Sequence, residues 1–195
     1  FFIPALVDRL RRLGLDSEPS VICYLPTDTT LRIVDQVAPD HVVYDCVDNF
    51  YGHPTPPADL AETEAALLER ADIVFNTSRY LFDRNSSRHP NVHLLHHGTS
   101  PAFLGEPRAK GPVRRLCYFG TVWSALDYEA VAALASAGYS VTLLGPVKEP
   151  PPPLPAGVEL LPPLEHARLP AFLKGFDALL LPYARTEYNK GVVPA

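Results

Sequence analysis

The stretch RLCYFGTVWSALDYEAVAALASAG, Arg115 to Gly138, decides the fold. Leu116, Cys117, Tyr118 and Phe119 form an apolar run suited to a strand covered on both faces. Gly120 ends the run. Ser124 and Asp127 have the spacing of a helix-start capping pair. Leu126, Ala130, Val131, Leu134 and Ala135 then share a helical face, and Gly138 suits the stop. The pattern predicts a strand, a glycine turn and a helix over Tyr128–Ala137. Such a unit sets backbone N–H groups and a helix N-terminus at the carboxyl edge of a sheet, where phosphates bind in open α/β folds. A side chain at Gly120 would hold a ligand off the backbone; a tight turn is the simpler role.

The same alternation extends in both directions. Upstream, Pro4–Leu13 reads as a helix whose Leu6, Val7, Leu10 and Leu13 share a face, with Gly14 as its stop. Arg9, Arg11 and Arg12 lie off that face. A solvated face explains them, and a peripheral membrane contact is the alternative. Val21–Leu25, His41–Val47, Ile73–Asn76 and Val92–His96 read as strands. Thr29–Val37, a long helix capped by Asp59, and a helix starting at Arg79 lie between them. Pro101–Pro112 is rich in Pro and Gly and reads as a linker. Downstream, Ser140–Leu144, Val158–Leu161 and Ala178–Leu181 read as strands and Pro170–Lys174 as a helix. Alternating strands and helices predict parallel sheets with helices on both faces, here in two lobes. The boundaries are 1–107 and 108–195.

Composition narrows the function classes. The chain has 195 residues, 47% apolar and 20% charged, which is enough to bury a core. A net charge of −5 argues against a nucleic-acid partner. No apolar run reaches the roughly 20 residues that span a bilayer. Cys23, Cys46 and Cys117 each sit in an apolar run, so reduced core thiols in the cytoplasm are expected rather than disulfides. The chain lacks methionine and begins with Phe1, which leads to the expectation of a piece of a longer protein.

In parallel sheets function gathers at the carboxyl ends of strands. Those ends hold Asp48 and Asn49, Thr77 and Ser78, His97 and Gly98, Gly120 and Thr121, Gly145, and Tyr183. Asp48 is a candidate base or hydroxyl-orienting group; capping the loop before Tyr51 is its structural alternative. His97 is a candidate donor to a phosphate or sugar oxygen; its alternative is a satisfied, half-buried histidine. His89, His93, His96 and His97 are not expected to bind a metal. On a strand His96 points away from His93 and His97, and no carboxylate or cysteine completes a set. Neither G-x-G-x-x-G nor G-x-x-x-x-G-K-S/T occurs, and G-x-S-x-G is absent too.

These motifs, in this order, resemble a known family. VVYDCVDNF (42–50), ADIVFNTSRYLF (71–82) and NVHLLHHGTSPAF (91–103) look like the second half of the N-terminal lobe of GT-B glycosyltransferases of the bacterial retaining type (glycosyl transferases group 1-like). CYFGTVWSALDYEAVAAL (117–134), YSVTLLGP (139–146) and LPAFLKGFDALLLPYARTEYNKGVVPA (169–195) resemble the start and continuation of the C-terminal lobe. The resemblance implies an α/β protein with two Rossmann-like (GT-B) lobes built on parallel sheets, each incomplete. It implies a hexosyltransferase-type enzyme moving a sugar from a nucleotide-sugar donor to a polysaccharide or glycolipid precursor, without a cofactor or bound metal. Gly120 and Thr121 would lie by the donor diphosphate, and Tyr188 and Lys190 near the donor sugar or phosphates. Asp48 and His97 would be catalytic, facing the sugar and acceptor from the opposite lobe.

Two departures bear on that reading. Relatives carry an Arg directly after this glycine and a Lys soon after; here Thr121 follows, and no Lys occurs before Lys148. Diphosphate binding would then fall to Lys190, Arg185 or the helix N-terminus. The acidic segment that in relatives binds ribose and sugar is expected just beyond Ala195, so the fragment by itself is expected to be inactive. The alternative expectation is a non-catalytic GT-B-like module binding a nucleotide or partner. A nucleotide-sugar epimerase on the same fold is a third.

Overall fold

In the computed structural model, which describes residues 2–14, 19–104 and 111–193, each apolar run pairs with its neighbours as a parallel strand. The backbone divides into two units, Phe1–His97 with Thr186–Ala195, and Gly98–Arg185.

The first unit contains α1 (Phe2–Arg12), β1 (Ser20–Cys23), α2 (Asp28–Val37), β2 (His41–Cys46), α3 (Leu60–Arg70), β3 (Ile73–Asn76), α4 (Arg79–Ser86) and β4 (Val92–Leu94). Its strands lie in the order β1-β2-β3-β4, all parallel. Val42, Tyr44 and Cys46 of β2 point into a core with Val34, Leu67, Leu68, Val74 and Leu81. Burying side chains of this size stabilises by about 1.5–3 kcal/mol each.

Local chemistry sets the helix starts. Thr27 caps α2, its Oγ1 accepting from the Thr30 N–H at 3.2 Å. Ser78 caps α4 in the same way through Leu81. Asp59 stands at the start of α3 but makes no side-chain capping bond, contrary to the sequence reading. The Thr63 hydroxyl instead donates to the Pro26 carbonyl at 2.7 Å, tying α3 to the loop after β1.

The second unit contains β5 (Arg115–Phe119), α5 (Tyr128–Ser136), β6 (Ser140–Leu144), β7 (Val158–Leu161), α6 (Leu169–Leu173) and β8 (Ala178–Leu179). Its parallel sheet runs β7-β6-β5-β8. Strand order therefore reverses between β5 and β8, which makes their carboxyl ends a topological switch point. Part of the expected linker forms a 3-10 turn at Pro101–Phe103, and 105–110 lie outside the described residues. Ser124 does not cap α5. Asp127 does, accepting from the Ala130 N–H at 2.8 Å. Ser124 sits a full turn too early and instead donates its backbone N–H to Glu149.

Strands β1, β4 and β8 are shorter than the apolar runs that announce them. Each has a partner on one side only. The three cysteines are free and buried.

Beyond β5 and β6 the backbones almost touch. A Cβ on Gly145, whose φ is +151°, would fall 1.9 Å from the Gly120 carbonyl oxygen. Gly138 also has a positive φ, +89°, but a Cβ there meets nothing within 4 Å. Gly138→Ala is expected to cost about 1 kcal/mol of unfolding free energy. Gly145→Ala is expected to cost about 3 kcal/mol or more, because backbone must move. Urea unfolding of the two variants checks this; equal costs would contradict the close approach.

Candidate functional site

In the first unit the loop after β2 carries Asp48 and Asn49, and two hydrogen bonds place it against its neighbours. Thr77 Oγ1 donates to the Val47 carbonyl at 2.9 Å, and the Asn49 amide donates to the Glu187 carbonyl at 2.6 Å. The segment bearing Tyr188 and Lys190 therefore lies on this loop. A Cβ on Gly52 would fall 2.3 Å from the Tyr188 backbone nitrogen, and one on Gly191 would fall 2.5 Å from Asn49 Cβ. Only glycine permits such contact. Tyr188 meets the His53 ring edge-on at 6.0 Å.

Asp48 is half-buried. Burial pushes its carboxyl above the usual range; a hydrogen bond from Tyr188 and the charges of His97 and His53 pull the other way. Burial also raises Asp45, again opposed by His97. The exposed His97 thus acts on two carboxyls at the edge of this sheet. A carboxyl tuned upward beside a phenol and an imidazole can accept or orient the proton of a ligand hydroxyl.

The structure brings Asp48, His97 and Tyr188 together. Lys190 is in the same unit, but its ammonium pairs with Glu187 at 2.6 Å. Gly120 and Thr121 belong to the second unit. His96 Nδ1 lies 3.0 Å from the Thr77 carbonyl, so it must be the protonated nitrogen. His89 and His93 are bound to the Ala71 carbonyl and the Asn91 amide oxygen. Among the described residues no group of three or more His, Cys, Asp or Glu could hold a metal ion.

In the second unit the loops at the switch point are tied by backbone. The Asp127 N–H donates to the Pro182 carbonyl at 2.7 Å, and the Ala184 N–H to Ala125 at 2.9 Å. Thr121 is exposed, and its carbonyl accepts from the Tyr118 hydroxyl at 2.9 Å. The Gly120 N–H is committed to the Leu144 carbonyl, so it serves the sheet.

The first cation after Gly120 in the chain, Lys148, is one the sequence reading passed over. Lys148 donates its backbone N–H to Val122, and its ammonium lies 4.4 Å from the centre of the Trp123 ring. Its signal was its place three residues past Gly145, at the carboxyl end of β6. Glu149 sits beside it, and the Ser124 hydrogen bond lowers its carboxyl. The N-terminus of α5 already holds the Asp127 carboxylate, so an anionic ligand there would meet a like charge.

The sequence matches no protein-family model and no curated protein. The chain is similar in structure to the catalytic domain of starch synthase IV from Arabidopsis thaliana bound to ADP and acarbose. The TM-score is 0.55 at 11% identity, covering 94% of this chain and 55% of that one. It is also similar to S. aureus MnaA in a co-structure with UDP, with a TM-score of 0.52 at 13% identity, covering 91% of this chain and 54% of that one. The chain therefore spans about half the length of each. The two units are Rossmann-like lobes, and the fold is GT-B. Among the described residues no helix is long and apolar enough to cross a membrane.

Asp48 supplies a pH test. A carboxyl whose folded pKa is raised adds stability below its unfolded pKa of about 3.9, and that contribution is lost as pH rises through the folded value. Asp48→Asn is therefore expected to be at least as stable as the parent at pH 7, with the advantage vanishing towards about pH 4. Thermal unfolding across that range checks the sign. A variant less stable than the parent at neutral pH would mean that Tyr188 and the histidines outweigh burial.

Proposed function

We propose that the chain is part of a glycosyltransferase that moves a hexose from a nucleotide-sugar donor to a polysaccharide or glycolipid precursor in the cytoplasm. The observation that carries this reading is the carboxyl edge of the second sheet, where Thr121 follows β5 beside the switch point and Lys148 follows the adjacent parallel strand β6 in a GT-B fold. The two similar structures are bound to ADP and UDP, which supports a donor of that class. In this reaction the anomeric C–O bond to the diphosphate breaks and the leaving group gains negative charge. A cation aimed at it lowers the barrier more than it stabilises the ground state. In this reading Lys148 takes that role, with Gly120 and Thr121 giving the diphosphate a close approach to the backbone. On the first unit, Asp48 with Tyr188 and His97 orients the acceptor hydroxyl. Lys190, held by Glu187, is assigned to the neighbourhood of the sugar, and no metal is required.

One observation favours a second reading, a GT-B-like module that binds a nucleotide without turning it over. The Asp127 carboxylate occupies the helix start that would otherwise attract phosphates.

Thermal unfolding of a protein containing this chain, titrated with UDP-, GDP-, dTDP- and ADP-sugars, tests the donor site. One nucleotide is expected to stabilise by about 2.7 kcal/mol at a hundredfold excess over its Kd. Lys148→Ala is expected to weaken that ligand about tenfold, the scale of one charge-assisted contact. No stabilisation by any member of the panel would contradict the donor site. Binding with no donor consumed would select the second reading.

A further inference from the structure

The first unit carries a second polar cleft. It has a volume of about 440 Å³ and is lined by Tyr51, Tyr80, Arg84, Arg88 and Glu187, together with Asn49 and Gly52. Its charge is set by a residue beneath it. Glu64 on α3 is fully buried, and both Arg84 and Arg88 pair with it, Arg84 at 2.9 Å. The Tyr44 hydroxyl donates to the same carboxylate at 3.0 Å. One buried negative charge thus faces two guanidinium groups. The side chains of Arg84 and Arg88 keep 21% and 29% of their surface exposed, so the surplus positive charge reaches solvent through the cleft.

The other charges in the cleft do not cancel it. Glu187 lines the wall, but its carboxylate is held by Lys190 at 2.6 Å. Arg84 spends its donors on Glu64, Asn49, Asn85 and the Cys46 sulfur, and lies 5.1 Å from the centre of the Tyr51 ring. Arg88 uses one terminal nitrogen on Glu64 and Asn85 and also hydrogen-bonds the Tyr51 side chain. Its planar fork remains suited to an oxyanion with two acceptor atoms. Tyr51 and Tyr80 are each 40% exposed, so aromatic surface stands beside the charge. Two half-buried guanidinium groups that share one carboxylate repel each other, and a bound anion relieves that repulsion.

We propose that this cleft binds an oxyanion, a phosphate or the phosphoryl group of a sugar phosphate, with Arg88 as its principal contact and Tyr80 as its exposed wall. The proposal does not rest on the diphosphate site, whose Gly120, Thr121 and Lys148 lie in the other unit. Asn49 and Glu187, which line the cleft, are the chain neighbours of Asp48 and Tyr188. An anion there would fix the loop that carries Asp48.

The test is titration of the protein with inorganic phosphate and, separately, with glucose 1-phosphate. Each is compared with chloride at matched ionic strength, with unfolding temperature and calorimetric heat as readouts. A saturable rise with phosphate is expected. Tyr80→Asp places a like charge in the cleft at an exposed position outside the buried network, and is expected to weaken binding at least tenfold with the fold intact. Arg88→Lys keeps the charge towards Glu64 but loses the fork, and is expected to weaken it about tenfold. If Arg88→Lys fails to fold, Tyr80→Asp alone decides. Tighter binding of glucose 1-phosphate than of phosphate assigns the site to a phosphorylated saccharide; equal binding assigns it to a free phosphate. A phosphate response equal to that of chloride, or one unchanged in Tyr80→Asp, would overturn the proposal. Nucleotide-sugar binding is read separately, so failure here leaves that reading untouched.

Discussion

A single buried carboxylate organises the first unit. Glu64 has no contact with solvent, and its charge is met by Arg84 and Arg88 of α4 and by Tyr44 of β2. Burial pushes the Tyr44 phenol far above its usual range, so it remains a proton donor. The network continues through Asn85 to the Asn76 side chain at 2.7 Å, at the end of β3. Two helices and two strands are therefore pinned by groups that tolerate only one arrangement. Such a network adds little net stability over an apolar core, but removing one member leaves a buried charge at a cost of about 3–5 kcal/mol. It fixes where the loops after β2 and β3 leave the sheet, and hence where Asp48 stands.

The second unit relies on backbone instead of charge. Gly145 accepts the Gly120 carbonyl where any other residue would place a Cβ, and the loops after β5 and β8 exchange hydrogen bonds across the switch point. This leaves a small edge on which the Lys148 ammonium lies over the Trp123 ring. An edge tied by backbone in this way suits a site that must meet a developing charge without reorganising. The anionic cap on α5 restricts where such a charge can sit.

Strands in the body of each sheet were legible in the sequence because two-sided burial produces uninterrupted apolar runs. Ile73–Asn76, Arg115–Phe119 and Ser140–Leu144 have the bounds that their runs predict, and the central His41–Cys46 stops one residue short of its run. Of the edge strands, Val158–Leu161 also matches its run, while β1, β4 and β8 were overextended, since apolar residues such as Leu95 and Leu181 continue past the last paired residue and stay exposed. Caps were read by spacing alone, which cannot tell Ser124 from Asp127 when a turn intervenes. Asp48 could be named as a candidate because it follows the end of β2; His97 was named from a strand drawn to His96, whereas β4 ends at Leu94. Glu64 was not, because an acidic residue on an amphipathic helix reads as surface until its partners on another helix are known. The nearness of Tyr188 to Asp48 was equally hidden. It depends on Gly52 and Gly191, far apart in the chain, both lacking a side chain at one contact.

Sugar transfer is tested most directly by release of nucleoside diphosphate from donor sugars by a protein containing this chain. Donor sugars would be supplied with and without a saccharide or lipid-linked acceptor, for the parent and for His97→Ala. Acceptor-dependent release is expected, falling by about 10²-fold or more in His97→Ala, the scale of a lost acid–base group. Donor that is never consumed, or release that is indifferent to His97, would rule out transfer through these residues.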